Sequence, residues 1–427
     1  MGSSSRLGSS APIATRAVWI LLWVLFAILP FGCARVGRYH SPSPVPGAPQ
    51  PSGHLDTESS DSTVVLVYGD NRPGYMVLSR SIGAPVVRNA MRSRSPGQWL
   101  IGLIHVPIAA LQLVLPTFDG VRDIWARYSK RYTGGNELGV LRSLAAERNI
   151  DLVVNTGDLV EDGRYGGQWN DFVRRHSALR ESVPFVAAPG NHERTWNEFG
   201  DDNWDSIVGS PAGPGRHWLV ADVGPARFVL LDSNPIVNVG HRYPTDVEME
   251  LSEAQLTWAD SVLAKPFPFK FVVLHHPLVT AGHHIDDWTD DDGRNPSRRE
   301  RMLDMFYRHG VTAVFAGHEH LYERTWIGNA DGTKGFWHIT TGGGGSPLYR
   351  IPGERRRLAL AQKLPGGSRI FFPSEQQSVY HFCRLVLRES GPADSGSSAA
   401  LRVYRVDRNR ATGVIDTIDL TRSSAMR

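Results

Sequence analysis

Asp151-Leu152-Val153-Val154-Asn155-Thr156-Gly157-Asp158 is a short run, apolar on both of its faces, that stops at a glycine followed by a carboxylate. Thr63-Val64-Val65-Leu66-Val67-Tyr68 has the same character and stops at Gly69-Asp70. Strands apolar on both sides belong to a sheet that is covered on both sides. Three more stretches repeat the pattern: 184–188 before Gly190-Asn191, 271–274 before His275, and 311–316 before Gly317-His318. Each buried-type strand delivers a Gly, Asp, Asn or His just past its end. These residues are expected to gather at the carboxyl edge of a sheet, where open α/β sheets place their sites.

Between the strands lie helical patterns, one with Leu138, Leu141, Leu144 and Ala145, another over 253–263 with Leu256 and Val262 apolar. Strand and helix alternate, which predicts an α/β class. After His320 come strand candidates with glycine-rich turns, at 336–341, 379–387 and 401–406, read as the second half of a two-sheet core. The segment 75–132 is longer than any crossover needs, and 99–116 within it carries no Asp, Glu, Lys or Arg. It reads as a buried helical hairpin or as a membrane-facing or substrate-capping element.

Arg6 and Arg16 precede an apolar stretch over 17–29, a length that suits a signal peptide and is short for a membrane span. Export is therefore expected, to a bacterial cell envelope, as a membrane-tethered or periplasmic protein. Three exits are open: lipidation of Cys33 after cleavage behind Gly32, cleavage after the small-x-small run Gly32-Cys33-Ala34, or an uncleaved anchor. Lipoprotein signals prefer a leucine three residues before the cysteine, and Pro30 stands there. The organisation read from the chain is a leader (1–34), a Pro/Ser-rich linker (35–62) and one domain (63–427) with the insertion at about 75–132.

With 41% hydrophobic and 21% charged residues the chain is globular in composition, and its formal charge is +3. Arginine clusters at 298, 299 and 301 and at 355–357 lack aromatic interleaving, so they read as solvated helix faces, and no nucleic-acid partner is expected. The only cysteines, Cys33 and Cys383, rule out cysteine-rich zinc or iron–sulfur sites.

What remains is a mixed oxygen and imidazole inventory: Asp70, Asp158, Asn191, His275, His318 and His320. Carboxylates and an amide carbonyl beside imidazoles suit divalent zinc, manganese or iron. Each residue alone is weak, since a Gly-Asp turn is usually structural. Gly190-Asn191-His192-Glu193 is sharper, and Gly317-His318-Glu319-His320 sharper still, because an i, i+2 histidine pair on one turn can face two metals.

Leu274-His275-His276-Pro277, Gly317-His318-Glu319-His320-Leu321-Tyr322-Glu323-Arg324 and Thr340-Thr341-Gly342-Gly343-Gly344-Gly345 resemble the calcineurin-like metallophosphoesterases, on the branch of the purple acid phosphatases. The resemblance covers about 63–420 without the insertion. It implies a two-sheet β-sandwich core flanked by helices, in four α/β/β/α layers. It implies two divalent or mixed-valence ions of Mn, Fe or Zn, with Asp70 and His320 on the first, Asn191, His275 and His318 on the second, and Asp158 bridging. His192 would donate a proton to the leaving group. Two departures stand out. Arg72 occupies the place of a usual histidine ligand in Asp70-Asn71-Arg72, and Glu161 the place of the tyrosine that colours purple acid phosphatases. Glu161 is open between a ligand and a loop carboxylate. Arg72 is open between a forked donor to a phosphate oxygen and a salt bridge to Glu161 or Asp162. His276 is left out of the ligand set as a packing residue.

Two bridged cations would lower the pKa of a shared water, orient a phosphoryl group and stabilise charge on its oxygens. The expected function is an exported, metal-dependent phosphoester hydrolase. Its rivals are a non-catalytic surface lipoprotein, suggested by the incomplete first metal shell, and a phospholipid head-group hydrolase, suggested by the tether and the apolar 99–116 stretch.

Overall fold

Val65 and Val67 point to one side of their strand and Leu66 and Tyr68 to the other, and all four are fully buried. Such a strand needs two covers. In the computed structural model they are a second sheet on one side and helices on the other. The structure describes residues 62–72, 136–163, 166–194, 200–209, 211–213, 215–237, 246–284, 287–288, 294–328, 334–353, 370–389, 396–407 and 410–421. The leader, the linker up to residue 61, the 75–132 insertion and the 355–357 arginines lie outside the described residues.

Strands β1 (Thr63–Tyr68), β2 (Leu152–Asn155) and β3 (Phe185–Ala187) run parallel. A second sheet holds β4 (Leu219–Val223), β5 (Ala226–Leu230), β6 (Phe269–Leu274), β7 (Ala313–Ala316), β8 (Tyr322–Gly328), β9 (Gly335–Thr341) and β10 (Ile370–Gln377), in the order β10-β8-β9-β7-β6-β5-β4. Strands β11 (His381–Arg388), β12 (Ser398–Asp407) and β13 (Arg410–Asp419) return to the first sheet, where β11 lies antiparallel to β1 with Val65 opposite Leu385. That sheet reads β13-β12-β11-β1-β2-β3.

Between the sheets, Val65, Val67, Leu152 and Val154 meet Phe228, Phe271, Val273 and Phe315. Outside the first sheet, α1 (Glu137–Ala146) and α2 (Gly166–Ser182) bury Val140, Leu144 and Leu179 on Leu66 and Val153. The short α3 (Asn191–Arg194) follows β3, and α4 (Gly200–Ile207) packs Trp204 on the Trp169 and Phe172 of α2. Outside the second sheet, α5 (Asp246–Leu263) and α6 (Arg294–Arg308) bury Leu256, Met302 and Phe306 on Val229, Val272 and Val314. Each such aliphatic or aromatic side chain contributes about 1.5–3 kcal/mol on burial. The result is the expected α/β/β/α sandwich.

Three details differ from the sequence reading. The strands after His320 split, with β8, β9 and β10 completing the second sheet and β11 crossing back to cover the β1 edge, which would otherwise be open to pairing. The five ligand-bearing strands therefore end at the carboxyl edges of two sheets instead of one. On α1 the inner face is Val140, Leu141 and Leu144, while Leu138 is 50% exposed. Of the first arginine cluster only Arg301 sits on the surface, paired with Glu253 at 2.5 Å. Arg299 is buried, and Arg298 donates to the Ile236 carbonyl at 3.2 Å.

Candidate metal centre

The turns that leave the strands are tight. Asp70, Asp158 and His318 have φ of 56°, 58° and 69°, in the left-handed region that non-glycine residues seldom enter. Such residues cost about 1–3 kcal/mol each and persist where surrounding contacts fix them. Here the Asp70 N–H donates to the Gly157 carbonyl and the Arg72 N–H to the Asp158 carbonyl, both at 2.9 Å, and the Asp70 carbonyl accepts the Ser346 N–H at 2.8 Å. The His318 N–H reaches both Asp70 carboxylate oxygens at 3.0 and 2.9 Å. Gly157, at φ 102°, has no room for a side chain: a Cβ would lie 2.7 Å from the Gly190 nitrogen and 2.8 Å from His275 Nδ1.

Glu193 fastens two of these loops together. Its carboxylate accepts the N–H groups of Asp158 at 2.9 Å, Val160 at 3.0 Å and Gly190 at 2.7 Å. Burial, with Asp158 nearby, pushes its carboxyl up to about 8. In the sequence Glu193 stands only as the last residue of Gly190-Asn191-His192-Glu193, and its fastening role comes from the fold.

At the second metal position the tautomers are decided by what stands behind each ring. His275 Nδ1 faces the Thr156 carbonyl at 2.9 Å, which only an N–H can satisfy, so Nε2 presents a lone pair. His318 Nε2 faces Asp287 Oδ2 at 2.9 Å, so Nδ1 presents a lone pair. The two lone-pair nitrogens lie 3.1 Å apart, with Asn191 Oδ1 at 2.9 Å and Asp158 Oδ1 at 3.4 Å from His275 Nε2. Burial, aided by His284 and His275, holds His318 well below the usual histidine value. Four acceptors crowded around one point, each ring oriented by a partner behind it, is the donor set of a divalent ion. The residues present fit such an ion. His276, held on Ser233 Oγ through Nδ1 at 2.8 Å, joins His275 and His318 in a group whose ligating atoms lie within 4.8 Å.

At the first position Asp70, Asp158 and His320 also bring ligating atoms within 4.8 Å, with His320 Nε2 3.5 Å from Asp70 Oδ1. His320 Nδ1 donates to the Pro347 carbonyl at 2.8 Å, its ring stacks on Tyr349 at 4.2 Å, and burial beside Arg72 pushes it down to about 3. Burial pushes Asp70 up to about 8, against the pull of His275. Burial would also raise Asp158, but the neighbouring His192, His275 and Arg72 hold its carboxyl well below the usual range. Arg72 donates from Nε to Asp158 Oδ2 at 3.1 Å, from Nη2 to His320 Nε2 at 3.4 Å, and forms an ion pair with Glu161. The ion pair with Glu161, one of the two expectations for this arginine, is formed.

His192 closes one side of the centre. Its Nδ1–H donates to the Glu161 carbonyl at 2.6 Å and its Nε2 stands 3.9 Å from Asp158 Oδ2. On the other side, His284 and Asp287 were not singled out from sequence. His284 packs on the His318 ring with centroids 3.8 Å apart, and its Nδ1 lies 3.3 Å from Asp287 Oδ2. Burial would lower this ring, but the bond to Asp287 outweighs it and raises its pKa. Their sequence signal was weak: Gly282-His283-His284 lies past a proline turn, at no metal-ligand spacing from His275.

A family model described as calcineurin-like phosphoesterase matches residues 137–322, so the loop of Asp70 and Arg72 precedes the match. A probable inactive purple acid phosphatase of Arabidopsis thaliana, number 27, is 28% identical over 228 residues, 47% of this chain and 36% of that protein. A nucleotide pyrophosphatase/phosphodiesterase of Hordeum vulgare is 30% identical over 227 residues, 47% of this chain and 59% of that one. The solved purple acid phosphatase from yellow lupin seeds superposes with a TM-score of 0.50 at 18% identity, over 84% of this chain and 54% of that one. The chain spans less than two thirds of the length of each of these relatives. Residues 137–322 thus match the calcineurin-like phosphoesterase model, and the chain is similar to purple acid phosphatases in sequence and in fold.

Proposed function

We propose that the chain is a metal-dependent hydrolase of phosphomonoesters or phosphodiesters. The carrying observation is the cluster at the second position, where His275 Nε2, His318 Nδ1, Asn191 Oδ1 and Asp158 Oδ1 face one another as acceptors. Asp70, Asp158 and His320 gather where a purple acid phosphatase-like fold would place a further ion. When bound, a divalent zinc, manganese or iron ion supplies activation of water and stabilisation of charge on the phosphoryl oxygens. The protein's own groups handle the proton. With Nδ1 tied to the Glu161 carbonyl, His192 holds Nε2 3.9 Å from Asp158 Oδ2, where it can protonate a departing alkoxide. A positioned imidazole of this kind contributes about 10²- to 10⁴-fold. His284, paired with Asp287 and packed on His318, adds a donor for a phosphoryl oxygen on that side.

Protein stripped by chelation and reloaded with manganese, zinc or iron(II) is expected to hydrolyse nitrophenyl phosphate mono- or diesters and to lose that turnover in Asp158→Asn. His192→Ala should slow alkyl phosphoesters about 10²-fold or more and spare nitrophenyl ones, whose leaving group needs no proton. A folded, metal-loaded chain that turns over none of these would instead be a binding protein. The names of two Arabidopsis relatives, which call them probably inactive, favour that second reading. The N-terminal pattern supports an exported chain held at a membrane. Acylation of Cys33 as the tether would be tested by Cys33→Ser, which should leave the membrane fraction.

A further inference from the structure

Arg72 reaches the first position from the same turn as Asp70, and its guanidinium meets the groups an ion there would use. Asp158 Oδ2 receives Nε–H at 3.1 Å, and the lone pair of His320 Nε2 receives Nη2–H at 3.4 Å. The Asp70 carboxylate is engaged by the His318 N–H on both oxygens. Glu161, standing where a tyrosine ligand is expected from the family resemblance, is turned to Arg72 as its counterion. The first position is thus a set of acceptors already supplied with side-chain donors from a permanent cation, whereas at the second the lone-pair nitrogens of His275 and His318 face each other 3.1 Å apart. The arginine is held there by its own backbone, since its N–H donates to the Asp158 carbonyl at 2.9 Å and its carbonyl accepts the Ser346 hydroxyl at 3.2 Å. Its side chain is 12% exposed. A guanidinium cannot shed its charge to make room for a divalent ion, and two such charges a few ångströms apart repel strongly outside bulk water.

We propose that the Arg72 guanidinium takes the place of the first metal ion, so that the centre carries one divalent ion, at the second position. This rests on the metal-dependent reading above. The fixed cation bridges to the ion through Asp158, whose two oxygens then serve one cation each. The arginine's planar fork supplies the charge that a second ion would have brought near the phosphoryl group.

The test is metal stoichiometry by mass spectrometry, with manganese or zinc as the probe, on the full chain after chelation, reloading and dialysis. Wild type and Arg72→Lys should hold one ion per chain. Arg72→His, which adds a ligand and removes the permanent charge, should hold two, and Arg72→Ala should gain a second, weaker ion. Manganese paramagnetic resonance should change from an isolated to a coupled spectrum in Arg72→His. Asn191→Ala should lose the single ion and Asp70→Asn should keep it. Two ions in wild type, a count that stays at one in both Arg72→Ala and Arg72→His, or loss of the ion in Asp70→Asn, would overturn the assignment while leaving the metal reading intact. No ion in folded wild type would overturn both.

Discussion

The two positions of the centre share Asp158 and differ in what answers its two carboxylate oxygens. Oδ1 looks toward His275 Nε2 at 3.4 Å and accepts the uncharged His192 main-chain N–H at 3.2 Å, whereas Oδ2 takes the Nε–H of the Arg72 guanidinium at 3.1 Å. Behind the second position stand a side chain, Asp287 on His318, and main chain, the Thr156 carbonyl on His275. Behind the first stands main chain, the Pro347 carbonyl on His320. The lesson is that a set of ligand residue types is only half of a metal site. Whether donors or acceptors fill the space among them decides what it can hold.

That contrast can be strained at the point where the second position depends on a side chain. Asp287→Asn keeps the shape beside His318 but removes the charge that orients it. Outer-shell partners of this kind typically carry about 10- to 100-fold in metal affinity. Titration calorimetry should therefore show manganese or zinc binding weakened by about that factor in Asp287→Asn. Glu161→Gln, altering the partner of Arg72 and a neighbour of His192, should leave the affinity within a few-fold. Equal losses in the two variants would erase the distinction between the positions.

A smaller effect belongs to stability. His338 Nε2 accepts the Leu278 N–H at 3.1 Å, backing the turn that carries His275, and burial pushes the ring down from 6.5 to about 3. Between those values the unfolded chain binds a proton that the folded one refuses. The stability this neutral ring contributes is present above pH 6.5 and is lost as the pH falls toward 3, at up to about 1.4 kcal/mol per unit. His338→Gln keeps an acceptor for Leu278 and gives up the titration. Thermal melts from pH 7 down should show a shallower acid decline in the variant, and parallel curves would show that His338 plays no part in it.

Much of the site was legible before any fold was seen, for a mechanical reason. A buried strand that must turn sharply at its end announces both the turn and the residue delivered there, as in Gly157-Asp158 and Gly317-His318. The rest depended on reach. Arg72 could be flagged as a departure, but only its side-chain path showed that it spans Asp158, Glu161 and His320 at once. His284 and Asp287 come from an irregular loop with no periodicity to read. In the fold, the hairpin of β4 and β5 escaped notice because Asp222 and Arg227, paired at 2.7 Å, interrupt its apolar pattern. The split of the last six strands between two sheets is a matter of pairing partners, on which hydrophobic alternation is silent.

Strand β1 finds its antiparallel neighbour β11 near the far end of the chain, and Asp70 is bonded to His318 across 248 residues of sequence. Contacts of such separation form slowly, because the loop they close must be ordered before they repay its entropy. Neither sheet alone owns the ligand set: Asp70, Asp158 and Asn191 follow strands of one, and His275, His318 and His320 follow strands of the other. Uptake of an ion with its full complement of ligands is therefore a late event in folding. It serves as a built-in readout that synthesis has passed β7 and that the two sheets have closed on each other.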